Sequence, residues 1–267
     1  MTIGGNSRMR IVSWNVNGIR SVEKKGFVSW MKNEAADAVC IQETKARPDQ
    51  LSPGLLEIHD KNGEPYFAYW ANAKKPGYSG VAIYTKTEAL DVKNLGVSEY
   101  DIEGRVLQVD FKGFTLISAY FPNSQDERKR LDYKLGFCGA IMELCEKYRE
   151  QKRHFILSGD YNIAHTSIDL ARPKENEESP GYLPEERAWM DTFTARGFVD
   201  TFRRFHPGEE GHYSWWSYRA NARERNVGWR LDYHCVAPEF LPSVESSIIR
   251  PDVLGSDHCP VEICLKQ

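Results

Sequence analysis

Short β-type runs recur along the chain, and each closes on turn or polar residues: Arg10 to Trp14, Ala38 to Ile41, Gly80 to Thr85, Val106 to Phe111, Thr115 to Tyr120, His154 to Ser158, Arg230 to Ala237 and a last one from Val261 to Leu265. Turns as short as Phe111-Lys112-Gly113-Phe114 predict antiparallel pairing between neighbours. Ala38 to Ile41 is apolar throughout, so its strand is expected to be covered on both faces. Helical spacing intervenes at wide intervals. Gly26 to Glu34 sets Phe27, Trp30 and Met31 on one face, Leu131 to Tyr148 does the same with Leu135, Ile141, Met142, Leu144 and Cys145, and Pro184 to Arg196 opens on a proline and carries Trp189, Met190 and Phe193. This order predicts two sheets packed together with helices outside, in one domain.

At 267 residues, with 41% hydrophobic and 27% charged residues, the chain can bury a core that needs no covalent staples. The six cysteines (Cys40, Cys138, Cys145, Cys235, Cys259 and Cys264) form no C-x-x-C pair and mostly sit in apolar runs. They read as reduced, buried thiols of a cytosolic-type compartment, not as a disulfide frame or a zinc site. No apolar stretch is long enough to span a membrane. The segment 1–8 lacks the apolar core of a signal peptide and reads as a flexible leader, with the single domain running from 9 to 267. A net charge of −3 argues against indiscriminate nucleic-acid binding and leaves room for a local basic face. The loop from Ala171 to Gly181, rich in charge, Pro and Gly, is long for a compact domain, which marks it as functional or mobile.

Six runs end in residues suited to chemistry. Trp14 is followed by Asn15-Val16-Asn17-Gly18, Ile41 by Gln42-Glu43-Thr44, Tyr120 by Phe121-Pro122-Asn123, and Leu157 by Ser158-Gly159-Asp160-Tyr161-Asn162. Asp232 lies in Arg-Leu-Asp-Tyr, and Ser256-Asp257-His258 precedes the last run. Each has a plainer explanation. Asn17-Gly18 is a turn dipeptide, Glu43 can pair with Lys45, Asp160 with Asn162 can form a side-chain-capped turn, and Tyr120 can be a core aromatic. Strand ends that share one edge of a sandwich form a natural site, however, and the joint occurrence favours chemistry. Glu43, Asp257 and amide oxygens are hard ligands suited to Mg²⁺ or Mn²⁺. Asp160 is suited to orient or deprotonate a water, and His258 to donate to a phosphoryl oxygen. A carboxylate such as Asp232 would fix the His258 tautomer. The chemistry these groups support is metal-assisted phosphodiester hydrolysis. No serine elbow or P-loop is present.

The stretches Ser13-Trp14-Asn15-Val16-Asn17-Gly18-Ile19-Arg20, Ile41-Gln42-Glu43-Thr44-Lys45, Gly77-Tyr78-Ser79-Gly80-Val81, Gly159-Asp160-Tyr161-Asn162-Ile163-Ala164-His165, Asn226 to Tyr233 and Gly255-Ser256-Asp257-His258-Cys259-Pro260 closely resemble, in order, the exonuclease III family of AP endonucleases. The resemblance runs from about Met9 to the C-terminus. It implies an α/β fold, a four-layer α/β sandwich of two mainly antiparallel sheets flanked by helices. It also implies a monomeric DNA-repair endonuclease that hydrolyses, with Mg²⁺ (or Mn²⁺ in its place), the phosphodiester 5′ to an abasic site in double-stranded DNA, leaving a 3′-hydroxyl. 3′–5′ exonuclease and 3′-phosphodiesterase or phosphatase work accompany that activity in the family, and the compartment would be the cytoplasm with its nucleoid, or the nucleus of a eukaryote. Carried over by position, Asn15, Glu43 and Asp257 look like the metal site. Asp160 and Asn162 look like the groups at the attacking water and transition state, Asp232 with His258 like the phosphate-polarising pair, and Tyr120 and Asn123 like phosphate contacts. Trp215, Trp229 and Leu231 match the pocket for a flipped abasic sugar, and Arg20, Tyr78 and Asn176 match contacts to the DNA backbone.

Three positions depart from the human-type pattern. Asn17 replaces an aspartate near the metal, Asp126 falls near an inserted arginine, and Arg219 replaces a methionine on the minor-groove side. Arg219 belongs to the basic loop Tyr218 to Arg225, which lies between tryptophan-bearing runs and favours DNA over the lipid or nucleotide phosphates that other members of the wider superfamily cut. Arg128-Lys129-Arg130 reads as a charge cluster at a helix start with no role in the site.

Overall fold

Alternating side chains decide the architecture, because most central strands are covered on both faces. The computed structural model describes residues 8–266. In chain order the strands are β1 (Arg8–Asn15), β2 (Ala38–Gln42), β3 (Phe67–Ala71), β4 (Val81–Thr85), β5 (Asp91–Lys93), β6 (Val106–Asp110), β7 (Thr115–Tyr120), β8 (Phe155–Asp160), β9 (Val199–Asp200), β10 (Asp232–Val236), β11 (Val244–Ile249) and β12 (Val261–Lys266). They form two six-stranded sheets, ordered β11-β12-β1-β2-β4-β3 and β5-β6-β7-β8-β10-β9. Among the described residues only β1–β2 and β7–β8 pair in parallel. Every other pairing is antiparallel, including the hairpin from β6 to β7 through Gly113.

Ile11, Cys40, Ile83, Leu107, Leu116, Ile156, Val236 and Ile263 meet between the sheets. The opposite side chains of the same strands face outwards. Val12, Trp14, Val39 and Tyr84 pack on Phe27 and Met31 of the helix Phe27–Glu34. Ile117, Ala119, Phe155, Leu157 and Tyr233 pack on the helices Leu131–Glu150 and Pro184–Ala195. The result is helix, sheet, sheet, helix, as the resemblance implies. The six cysteines are buried and unpaired. Among the described residues no helix is long and apolar enough to cross a membrane. Residues 1–7 of the expected leader lie outside the described residues, and Arg8 already pairs with Lys266 as the first residue of β1.

The anticipated strands are present with ends shifted by a residue or two. The strands that periodicity did not reveal are β3, β5, β9 and β11, which are the four sheet edges. An edge strand has one hydrogen-bonded neighbour and partial cover, so it lacks a continuous apolar pattern; β5 is exposed along its whole length.

The parallel pairs determine where a site can form. A parallel pair needs a crossover, and both crossovers return the chain so that the carboxyl ends of β1, β2, β7 and β8 share one edge. Antiparallel register adds the amino ends of β4, β10 and β12 to that edge: Gln42 faces Val81, Asp160 faces Asp232 and Ser13 faces Val261. Gly159 is required there, since a Cβ at this position would stand 1.9 Å from the Ala119 carbonyl oxygen on β7.

A buried ionic knot seats the segment leading into β10. Asp169 Oδ1 accepts from Arg230 Nε at 2.8 Å and from Arg203 Nε at 3.0 Å, while Oδ2 accepts from the Thr166 amide at 2.9 Å. Burial alone would raise the Asp169 pKa; Arg230 and Arg203 outweigh it and hold the carboxyl below its ordinary value. A lowered folded pKa means that this stabilisation is complete above the unfolded value, about 3.9, and is lost as pH falls through the folded one. Asp169→Asn is therefore expected to cost about 3 kcal/mol at neutral pH, the scale for breaking a buried ion pair. In urea titrations the deficit relative to wild type should shrink below about pH 4; a deficit independent of pH would remove the ionic account.

Candidate active site

The shared edge carries a cleft of about 210 Å³ lined by Glu43, Tyr120, Asn123, Asp160, Asn162, Pro180, Gly181, Trp215, Trp229, Leu231, Asp257 and His258. Local backbone aims several of these groups. Asn17, Glu43 and Asn162 adopt left-handed φ of 48°, 54° and 50° just past strand ends. Non-glycine residues held there carry strain that the surrounding structure must impose. At each of these places the chain leaves the sheet and turns a polar group to the edge.

The two sheets meet through Asn15. Its Nδ2 donates to Glu43 Oε1 at 3.0 Å and to Asp160 Oδ2 at 2.8 Å, and its Oδ1 accepts from the Asn17 amide at 2.9 Å. Asn17 Nδ2 in turn donates to Asp257 Oδ1 at 3.0 Å. Lys45 Nζ lies 2.6 Å from Glu43 Oε2 and donates to Asn17 Oδ1 at 2.5 Å. Burial would raise the Glu43 pKa, but Lys45 and the Asn15 amide bring it below the ordinary glutamate value. Asp257 is likewise held low: burial opposes this, and His258, Asn17 and the Trp215 indole favour it, the last donating at 3.1 Å. Both groups are thus carboxylates at neutral pH.

The second cluster is proton-bearing. His258 Nδ1 is 2.8 Å from Asp232 Oδ2, which also accepts from Ser214 Oγ at 2.6 Å; His258 Nε2 lies 3.8 Å from Asp160 Oδ2. Burial would lower the His258 pKa, but Asp232 and then Asp160 reverse that and lift it to about 10. Burial raises the Asp160 pKa well above the ordinary range, with Asp232 adding to the effect and His258 opposing it. Ligand-type atoms of Asp160, Asp232 and His258 lie within 4.8 Å of one another. The Asp232–His258 hydrogen bond already occupies the facing atoms of that pair, so the trio reads as an oriented acid–base group. Glu43 and Asp257, with the Asn15 amide, offer hard oxygens that could hold a divalent ion.

Trp215 and Trp229 stand edge to face with centroids 6.3 Å apart and pack with Leu231, Leu170 and Tyr182. Asn123 Nδ2 donates to Asn162 Oδ1 at 3.2 Å. The expected DNA contacts lie outside the cleft. Arg20 and Arg219 are exposed, the Tyr78 hydroxyl is held by Arg105 and Arg130, and Asn176 folds its own loop through Arg172 and Ser179. Arg130 caps the helix Leu131–Glu150, in keeping with a charge cluster at a helix start, and also donates to the Tyr78 hydroxyl. Pro180 and Gly181, at the end of the loop the sequence marked as functional or mobile, line the cleft, while Ser214, whose residue type carries no chemical signal without its neighbours, was missed.

A model of the Endonuclease/Exonuclease/phosphatase family matches residues 12–258. The chain is 44% identical over 259 residues to an exodeoxyribonuclease of Bacillus subtilis (strain 168), covering 96% of this chain and 99% of that one. It is 40% identical over 270 residues to the DNA repair nuclease APEX1 of Danio rerio, covering 98% of this chain and 84% of that one. Its fold is similar to that of the AP endonuclease LMAP from Leishmania major, with a TM-score of 0.84, 29% identity and coverage of 97% and 88% of the two chains.

If Asp232 holds the His258 tautomer and charge, Asp232→Asn should lower the single-turnover rate on a DNA substrate by on the order of a hundredfold or more, the usual scale for an acid–base group. DNA binding measured in Ca²⁺ should stay near wild type. Lost binding with an unchanged rate would assign the pair to affinity instead.

Proposed function

The chain belongs to the endonuclease/exonuclease/phosphatase family, and from that premise we propose that it is the enzyme that opens DNA at abasic sites, hydrolysing the phosphodiester on the 5′ side and leaving a 3′-hydroxyl. It is a DNA-repair nuclease. The finer reading rests on one observation: a narrow cleft whose wall is apolar at Trp215, Trp229 and Leu231 and ionic at Glu43, Asp160, Asp257 and His258. At about 210 Å³ it is smaller than the roughly 300–1,000 Å³ of pockets for drug-sized ligands. A bare sugar–phosphate suits that space better than an intact nucleotide, and an abasic nucleotide has no base to unstack on extrusion.

Glu43 and Asp257, with Asn15 fixing the Glu43 carboxylate, would hold Mg²⁺ or Mn²⁺. A divalent ion there supplies charge neutralisation at the phosphate and the leaving oxygen. The protein's own groups do the rest. Cationic His258, oriented through Nδ1 by Asp232, presents Nε2–H toward a phosphoryl oxygen. Asp160, with a raised pKa, orients a water and accepts its proton. Asn162, Asn123 and Tyr120 position the phosphate, and Arg20, Tyr78, Asn176 and the exposed Arg219 extend contact along the duplex. On this reading the enzyme works as a monomer in the compartment that holds the DNA, and 3′-end trimming uses the same groups.

Four measurements test this. Chelation should abolish cleavage of an abasic duplex, and Glu43→Gln should raise the Mg²⁺ needed for half-maximal rate; an unchanged Mg²⁺ requirement would take Glu43 out of the metal site. Trp229→Ala should raise activity on undamaged relative to abasic duplex. A lower melting temperature with the substrate ratio unchanged would make Trp229 a core residue. Cleavage of an inositol phosphate in preference to abasic DNA would replace the substrate class.

A further inference from the structure

Behind the cleft lies an ion pair that the chemistry above does not use. Lys134 and Glu186 are both fully buried, on the helices Leu131–Glu150 and Pro184–Ala195. Their charged atoms are 2.6 Å apart. Taking two charges out of water is costly, and an apolar pair of similar volume often stabilises a core as well or better. Stability alone is thus a poor account of this pair. What distinguishes it is the set of partners.

Lys134 Nζ also donates to the Asn162 carbonyl oxygen at 2.6 Å. Glu186 Oε1 accepts from Ser124 Oγ at 2.5 Å, and Oε2 accepts from the amides of Gly181 and Leu183 at 2.8 and 2.9 Å. The pair therefore holds three loops that have one thing in common. Asn162 lines the cleft, Ser124 follows the cleft residue Asn123, and Gly181 forms its wall close to Trp229. Asn123 and Asn162 are themselves hydrogen-bonded, and Asn162 Nδ2 donates to Asp160 Oδ2 at 3.2 Å. Charged hydrogen bonds are directional and stronger than neutral ones, so the grip fixes distances and not merely proximity.

We propose that Lys134 and Glu186 are positioning residues for the reaction: a buried clamp that sets Asn123, Asn162 and the Gly181 wall at the distances the phosphate requires. The proposal rests on the nuclease reading of the cleft. A group displaced by about 1 Å at a distance from the chemistry can cost on the order of a hundredfold in rate.

The variant Glu186→Gln keeps size and one acceptor oxygen while weakening the grip on Lys134. Its single-turnover rate at saturating abasic duplex should fall at least tenfold, with DNA affinity in Ca²⁺ within twofold of wild type. A double-mutant cycle with Asn162→Ala should be strongly non-additive, Asn162→Ala costing less in the Glu186→Gln background than in wild type, because both changes disable the same group. A structural role alone would give additive losses, or equal losses in rate and affinity, and either result overturns the proposal. Should Glu186→Gln not fold, Ser124→Ala removes a single donor from the same carboxylate, and the same cycle is read with it. Wild-type protein in the same assay separates the two ideas. An inactive wild type on abasic duplex refutes the substrate reading, and the cycle is then read on 3′-end digestion of undamaged duplex, where additivity still overturns the clamp.

Discussion

A seam of directional hydrogen bonds between the two sheets governs what the rest of the molecule can do. Apolar packing is non-directional and tolerates sliding of one sheet over the other. Gln42 on β2 donates to Ser118 on β7 at 3.0 Å, Asn15 on β1 to Asp160 on β8 at 2.8 Å, and His234 on β10 meets the Val261 carbonyl of β12 at 3.1 Å. Burial lowers the His234 pKa to about 4, so it enters the seam as a neutral ring. These bonds fix the offset of the sheets, and the offset sets the separation of Glu43 and Asp257 from Asp160 and Asp232. A slip of about 1 Å there would carry the Asn15 bridge out of hydrogen-bond range.

The site above the seam divides its carboxyl groups by environment. Glu43 and Asp257 have cationic or amide neighbours and stay ionised. Asp160, close to Asp232 and deeply buried, is pushed toward protonation. Neighbouring carboxylates with different surroundings can then take different roles, holding a cation in one place and handling a proton in another. His258 is the hinge of the arrangement, since its charge stabilises both Asp232 and Asp160. Support comes from two buried ionic groups, Asp169 with Arg230 and Lys134 with Glu186, placed where loops of the site leave the helices and sheets.

Several plain readings of the site residues hold in the structure beside the functional ones proposed for them. Glu43 does pair with Lys45 and Asp160 Oδ1 does accept from the Asn162 amide at 2.8 Å, while Asn17-Gly18 bends the chain with positive φ at both residues, leading from β1 into the helix Ile19–Glu23 and not into a hairpin. The turn at Asn17 is also what lets its side chain reach Asp257. Local hydrogen bonds and chemistry do not compete here, because an ionisable group needs fixed partners before its geometry can serve a reaction. The Asn17 amide also adds no negative charge beside Asp257, to which it donates.

The amino-acid sequence by itself determined the central strands, the principal helices and the residues at the strand ends, because apolar alternation and turn chemistry act over a few neighbours. Strand ends carrying Asn15, Glu43, Asp160 and Asp257 were legible for that reason, and their order along the chain pointed to one family. The edge strands β3, β5, β9 and β11 were not, since partial cover erases the alternation. Nor were the partners of Lys134, Glu186, Asp169 and Ser214, which lie from 3 to 62 positions away in sequence. Which nitrogen of His258 faces Asp232, and which carboxylates stay charged, depend on burial and distance. Those quantities exist only after the two sheets have closed on each other.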